Sequence, residues 1–480
     1  MLFNSYIFIF AFLPITFVIY YYLKYKGLDT SSKIFLVFSS LFFYSWWNII
    51  YLPLILISMI FNYYIGIFLQ KESLINYKSR ILFFGIAVNL SLLGYFKYAD
   101  FFIENINTIF DSSVGMLNLA LPLAISFFTF QQIAYLVDSS RGQTYEYNFL
   151  NYSLFITFFP QLIAGPIVHH KEMMPQFSKN KNIDFNNIAT GLIIFSIGLF
   201  KKVIIADSFS VWATTGFDVV QTLNTIEAWV TSLSYTFQIY FDFSGYTDMA
   251  IGVALLFNIK LPINFNSPYK ATNIQDFWQR WHITLSRFLK EYIYIPLGGN
   301  RRGEISTYAN LMTTFILGGI WHGAGWTFIF WGFLHGLGMV IHRIWSKLFF
   351  KLWDWVGWIV TFNFINISWV FFRAKEWDDA MKVLKGMFSL DIALPQSLLS
   401  KLGFLQQYGI EFGTTLMNMK IHRDTILWII ISFIIILFFR NSTEYSRKNL
   451  TIISAFFIST ILLFSIYSLG KKSEFLYFNF

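Results

Sequence analysis

Cysteine is absent from this 480-residue sequence. That excludes a disulfide framework, a thiolate metal site, a palmitoylated cysteine and a cysteine nucleophile, so any chemistry must use His, Tyr, Ser/Thr or carboxylates. Charge is nearly as scarce: 13% of residues are Asp, Glu, Lys or Arg, about half the share found in a soluble domain. No HExxH pair, phosphate-binding glycine loop, GxSxG elbow or metal-ligand cluster occurs, and those chemistries have no support. The first block, Met1 to Leu23, has neither a basic start nor a small-residue cleavage site, and reads as a retained helix rather than a signal peptide. No repeat stands out, and no linker cuts the chain into soluble domains.

What is present is apolar: 56% hydrophobic and 21% aromatic residues. Nearly uncharged blocks fall at 1–23, 34–70, 81–96, 112–137, 147–168, 186–200, 228–241, 249–259, 305–342, 355–372, 425–439 and 449–470. Many reach the roughly 20 residues that a bilayer-crossing helix needs, and solid blocks rather than ten-residue alternation exclude a barrel. The expected fold is an all-α polytopic membrane protein, one domain over 1–480, with about 11 to 13 membrane segments, some short, tilted or re-entrant. Blocks 34–70 and 305–342 are each long enough for two crossings, or for one crossing plus a re-entrant piece.

Lys/Arg excess places 24–33, 71–80 and 440–448 on the cytoplasmic side, whereas 97–111, with Asp100, Glu104 and Asp111 against Lys97, is expected outside. The N-terminus and the aromatic tail 471–480 then lie outside, although Lys471 and Lys472 run against that placement of the tail. The net charge of +9 is that of basic cytoplasmic loops and does not point to nucleic acid.

The largest interruption, 260–304, holds Lys260, Lys270, Arg280, Arg287, Lys290, Arg301 and Arg302 against Asp276, Glu291 and Glu304. Trp278, Trp281, His282, Leu285, Phe288, Leu289 and Tyr292 recur at helical spacing, with Arg280, Thr284, Arg287 and Glu291 on another face. The spacing predicts a basic amphipathic helix at the interface or dipping into the protein, followed by a turn at Gly298–Asn300.

Ionisable groups at membrane depth are costly and point to function. His322 is flanked by Gly318, Gly319, Gly323, Ala324 and Gly325, which permit irregular backbone and close approach; a buried histidine bonded to a carbonyl is the plainer alternative. His335 lies 13 residues on, too far round one unbroken helix to share a metal with His322, and reads as a packing residue. His342 reads as interfacial, as do His169 and His170, whose adjacent side chains point apart. His282, on the apolar stripe, would by itself more often be a satisfied core residue. Asp242 and Asp248, six residues apart, do not share a helical face and are expected to cap helices or to bond polar groups in a cavity. The terminal FLYFNF, 475–480, reads by residue type as an interfacial aromatic anchor.

Three blocks together change the reading: FDFSGYTDMAIGVALLFNIKLPINFNSPY (241–269), DFWQRWHITLSRFLKEYIYIPLGGNRRG (276–303) and GGIWHGAGWTFIFWGFLHG (318–336). In order and spacing they resemble the bacterial branch of the membrane-bound O-acyltransferases, over most of the chain. The resemblance implies a helical bundle with a central funnel in the bacterial inner membrane, and an O-acyltransferase with no bound cofactor and no metal. His322 falls on the family's catalytic histidine, His282 on the second histidine of its pair, and Tyr477 on a tail tyrosine that carries the acyl group. The expected donor is acetyl-CoA, docking from the cytoplasm with its phosphates met by basic residues such as Arg280, Arg287, Arg301 and Arg302, and Trp278 and Trp321 are expected at the same donor site. The implied partners are a periplasmic acetyltransferase of the SGNH type, membrane lipid and, indirectly, a cell-wall glycan, peptidoglycan first. An alginate-like exopolysaccharide, or D-alanyl transfer to teichoic acid, is the alternative acceptor chemistry. A transporter whose path is lined by the intramembrane histidines is the alternative from another class; the chain lacks the inverted repeat expected of one.

Overall fold

The structure, a computed structural model, describes every residue except 180–181, 397–398, 414–418, 420, 422, 446–450, 471–475 and 477–480. In chain order its helices are α1 (Leu13–Tyr25), α2 (Asp29–Ser45), α3 (Leu52–Gln70), α4 (Lys78–Leu93), α5 (Ala99–Phe110), α6 (Ile125–Ser140), α7 (Phe149–Thr157), α8 (Phe159–Leu162), α9 (His170–Lys179), α10 (Phe185–Phe200), α11 (Asp207–Thr214), α12 (Thr225–Leu256), α13 (Ile274–Arg280), α14 (Ile283–Leu289), α15 (Glu304–His322), α16 (Trp326–Leu348), α17 (Asp354–Arg373), α18 (Trp377–Phe388), α19 (Leu399–Leu402), α20 (Arg423–Phe438) and α21 (Ile452–Tyr467). Among the described residues the exception to all-α is one short parallel pairing, β1 (Ala393–Pro395) with β2 (Glu411–Gly413).

Seven helical runs among the described residues are long and apolar enough to cross a membrane: Phe8–Tyr25, Ile49–Gln70, Glu72–Phe110, Phe185–Val219, Trp326–Leu348, Asp354–Arg373 and Ile452–Gly470. Other expected segments form shorter or polar-lined helices. α6, for instance, has 16 residues and buries Gln131, Gln132 and Asp138. Both long uncharged blocks resolve into two helices each, α2 with α3 and α15 with α16.

The chain packs as two compact units. The first comprises Met1–Phe200, Gly245–Asn264 and Ser442–Asn479. Polar side chains tie its helices together: Asn62 on α3 donates to Asn89 Oδ1 on α4 at 3.1 Å and to Gln132 on α6, while Ser58 donates to Gln132 Oε1 at 2.8 Å. Where lipid tails are as apolar as leucine, such interhelical hydrogen bonds and close backbone approach hold helices together. The approach is visible at Gly191 on α10, where an added Cβ would sit 2.6 Å from the Gly252 carbonyl oxygen on α12. His169 and His170, read as interfacial, are held inside the first unit by carboxylates. Both are buried, His169 Nδ1 at 3.2 Å from Asp138 Oδ2 and His170 Nε2 at 3.1 Å from Glu146 Oε2. They do point apart, each to its own carboxylate, because an isolated buried charge must find a partner.

The second unit, Lys201–Ser244 with Phe265–Asn441, contains the histidine blocks. Its centre is the α15–α16 hairpin, closed by Gly323–Gly325. A Cβ at Gly319 would lie 2.3 Å from the Phe328 carbonyl oxygen, and one at Gly332 would lie 2.4 Å from that of Phe315. Only glycine lets the two backbones come this close. A second anchor is ionic: buried Lys202 meets Asp207 Oδ1 at 3.0 Å and Asp242 Oδ1 at 2.5 Å. Asp242 is therefore an ion-pair member on α12. Asp248 is buried on the part of α12 that belongs to the first unit.

Candidate active site

His322 is the last residue of α15 and is 3% exposed. The helix stops there because Gly323 turns to extended backbone (φ −159°, ψ 154°), and a side chain at 323 would run into the Phe328 ring, 2.2 Å from an added Cβ. Three aromatic rings surround the imidazole: Trp321 at 4.8 Å, Trp331 of α16 at 5.1 Å and Phe372 of α17 at 5.0 Å between centroids. The expected glycine break is thus a helix terminus that delivers the imidazole into an apolar aromatic box.

His335 lies on the other helix of the hairpin, one turn beyond Trp331 on α16, with the two rings 4.6 Å apart. Its nitrogens are both committed. The Trp278 indole N–H donates to His335 Nδ1 at 3.1 Å. Ser368 Oγ gives its proton to the Ile365 carbonyl at 2.8 Å, so at its 3.0 Å contact with His335 Nε2 the hydroxyl oxygen accepts and Nε2 carries the hydrogen. A neutral imidazole with its one lone pair occupied cannot take a proton from substrate. His335 is scaffolding, as its sequence setting suggested.

The predicted continuous helix over 278–292 does not form. α13 ends at Arg280, Trp281 is extended (φ −98°, ψ 127°), and His282 starts α14 from the left-handed region at φ 44°. A non-glycine residue held there stores about 1–3 kcal/mol of strain. The periodicity misled because a buried aromatic segment has core on more than one side: Thr284, expected on a polar face, is only 3% exposed. The break aims His282, itself fully buried, at Phe243 (4.8 Å) and Trp321 (6.4 Å). Trp321 therefore lies between the two histidines of the family pair, and Phe243 adjoins the ion-paired Asp242.

Burial pushes the His282 imidazole down to about 3 from its ordinary 6.5. The unfolded chain binds a proton there below pH 6.5 and the folded one does not, so the stabilisation is whole above that pH and drains away as pH falls towards 3. His282→Asn, which tolerates a left-handed backbone, is expected to flatten the fall of the thermal midpoint between pH 6.5 and 4. Scanning fluorimetry in detergent measures this, and an unchanged slope contradicts it.

With this geometry in place, comparison with known proteins is decisive. Residues 7–375 match the MBOAT, membrane-bound O-acyltransferase family. The chain belongs to the membrane-bound O-acyltransferases. It is 49% identical to the peptidoglycan O-acetyltransferase of Helicobacter pylori over an alignment of 524 residues that covers 100% of this chain and 98% of that relative. It is also 38% identical to the probable alginate O-acetylase of Pseudomonas aeruginosa, with 86% and 79% of the two chains covered. Similarity to the teichoic acid D-alanyltransferase of Bacillus subtilis is 28% over 54% of this chain. This membrane-bound O-acyltransferase is thus an enzyme and a multi-pass protein of the inner membrane.

The basic residues expected to meet the donor are differently disposed. Arg280 is engaged locally, Nε donating to Asp276 Oδ1 at 2.7 Å and Nη1 to the Asn266 carbonyl at 3.3 Å. Arg301 and Arg302 are exposed in the turn after Gly298 and Gly299, whose positive φ values of 115° and 57° explain the glycine pair. Arg287 is half-buried on α14. Trp278 is committed to His335 and also lines a cavity with Lys290, Arg343 and Lys347. Tyr477 lies outside the described residues. Sequence reasoning missed Trp331, Ser368 and Phe372. The signal available was their position in uncharged helical blocks, which says nothing about which ring meets which histidine.

Proposed function

We propose that this acyltransferase takes an acetyl group from acetyl-CoA at the cytoplasmic side and relays it across the membrane for O-acetylation of a cell-wall glycan, peptidoglycan first. The observation that carries the acceptor is the end-to-end likeness to a peptidoglycan O-acetyltransferase, 49% identical over the whole chain. The likeness to the alginate relative stops at 86% of this chain.

In this reading His322 is the general base. The tail hydroxyl of Tyr477 is a poor nucleophile until its proton is removed, and histidine is the side chain suited to that at neutral pH. His322 takes the phenolic proton, and the phenolate oxygen bonds to the thioester carbonyl carbon. The carbon–sulfur bond then breaks, and the CoA thiolate leaves and recovers the proton. The dry aromatic box strengthens every charge interaction within it. His282 supports Trp321 and through it the base. A periplasmic SGNH-type partner then moves the acetyl group from the tyrosine ester to a glycan hydroxyl, so that CoA itself never crosses.

The test is a deletion strain complemented with wild type or Tyr477→Phe, with muropeptide O-acetylation read by chromatography and the tail peptide by mass spectrometry. The expected result is acetyl on the wild-type tail peptide and background acetylation for the variant. Full glycan acetylation with Tyr477→Phe overturns the relay. Wild-type muropeptides that carry no dependence on the gene overturn the acceptor.

A further inference from the structure

A cavity of about 410 Å³ opens between α13, α14, α15 and α16, in the range of small-ligand sites. Its walls are mainly apolar, with Trp278, Leu289, Phe315 and Met339 among them. Three cations stand on its lining, Lys290, Arg343 and Lys347, of which the last two share one carboxylate. Arg343 grips Glu304 through Nε at 3.0 Å and Nη2 at 3.2 Å, and Lys347 Nζ lies 2.5 Å from Glu304 Oε1. Hydrogen bonds from Arg343 and Lys347 hold the Glu304 carboxyl down near 2, so it is an anion at every working pH.

The setting says what would fill such a cavity. Arg343 and Lys347 occupy the last turns of α16, a helix of membrane-crossing length, so they lie where a bilayer gives way to water. Phe349, Phe350, Trp353 and Trp355 follow at 55%, 71%, 72% and 61% exposure, an aromatic belt of the kind that sits among headgroups. Ile305 and Ile341, beside the charged rim, are exposed as well. Cations at headgroup depth, an apolar slot below them and lipid-facing residues around the mouth match a phosphate with a chain attached.

We infer that this cavity binds an anionic phospholipid, its phosphate on Lys290, Arg343 and Lys347 and one acyl chain in the slot behind. Glu304 occupies the phosphate's place when the lipid is absent. The inner wall gives such a site reach: Trp278 lies 5.9 Å from Trp331, and Trp331 lies 5.1 Å from His322, so a chain in the slot abuts the rings that hold the base.

The two sides of the ion pair should respond with opposite signs. Native mass spectrometry of the purified protein titrated with phosphatidylglycerol is expected to show one tightly held lipid. Arg343→Gln/Lys347→Gln should weaken it roughly tenfold or more, since each cation near a phosphate contributes about a factor of five. Glu304→Gln, which frees both cations, should tighten it severalfold. Inorganic phosphate and acetyl-CoA serve as competitors, and neither is expected to displace the lipid. Equal affinity in the double variant, or weaker binding in Glu304→Gln, overturns the proposal by making the ion pair purely structural. One-for-one displacement by acetyl-CoA also overturns it, by making the cavity the donor's. Should the double variant not fold, the sign of the Glu304→Gln effect alone decides.

Discussion

Alanine at His322 is expected to lower acyl transfer by about 10²–10⁴-fold, the span typically contributed by a positioned general base, with the thermal midpoint moving only slightly. On the proposed mechanism the side chain supplies the base, and it packs against the rings of Trp321, Trp331 and Phe372. Its loss leaves a dry hole in a box that Trp331 and Phe372 still close. His322→Gln keeps the volume and a hydrogen-bonding group without the basicity, and should be as inactive as the alanine variant. Release of CoA from acetyl-CoA by protein in detergent, monitored with a thiol reagent, measures both. A variant that keeps more than a tenth of the wild-type rate removes His322 from the base role. His335→Gln supplies the contrast: it should cost stability, through the lost Trp278 and Ser368 bonds, far more than turnover per folded molecule.

The second large effect concerns stability. Lys202 is 2% exposed between Asp207 and Asp242, which are 17% and 1% exposed. Lys202→Met takes the Lys202 ammonium away from both carboxylates, and breaking a buried pair in this way costs about 3–5 kcal/mol. The expected outcome is a protein recovered in low yield, with a thermal midpoint lowered by several degrees. Lys202→Met/Asp242→Leu, which removes the charge as well as its partner, should recover more than half of that loss, because a well-packed apolar replacement of a buried pair is often neutral. Equal destabilisation in single and double variants would show that the ion pair contributes nothing beyond packing. Because Asp242 precedes Phe243, which packs on His282 at 4.8 Å, the single variant should lose turnover as well.

Much of this was readable in the chain. Absence of charge over 305–342 and the glycines around His322 announced a helix end beside an ionisable group, and the hairpin is there. The 13-residue spacing separated His322 from His335, and the hydrogen bonds of Trp278 and Ser368 now give the physical reason. The Lys202–Asp242 pair was not legible, because the two residues are 40 apart in sequence and nothing in spacing links them. The bend at Trp281–His282 was also hidden: polarity at helical period cannot register a backbone that leaves the helical region for two residues. The tie of Arg280 to Asp276 and the Asn266 carbonyl was equally hidden, because it depends on where α13 ends.

The glycine contacts of α15 and α16 have a mechanical consequence. Carbonyl oxygens sit where side chains would start, 2.3 Å from the ideal Cβ of Gly319 and 2.4 Å from that of Gly332, so each backbone is notched into the other. Sliding one helix along its partner would move the same-face neighbours three or four residues away, Phe315 or Ile316 on α15 and Phe328 or Ile329 on α16, towards contacts that only a glycine fits. The hairpin therefore cannot act as a piston. The position of the His322 imidazole at the end of this hairpin is thereby fixed, and on the proposed mechanism whatever must travel during turnover travels to it.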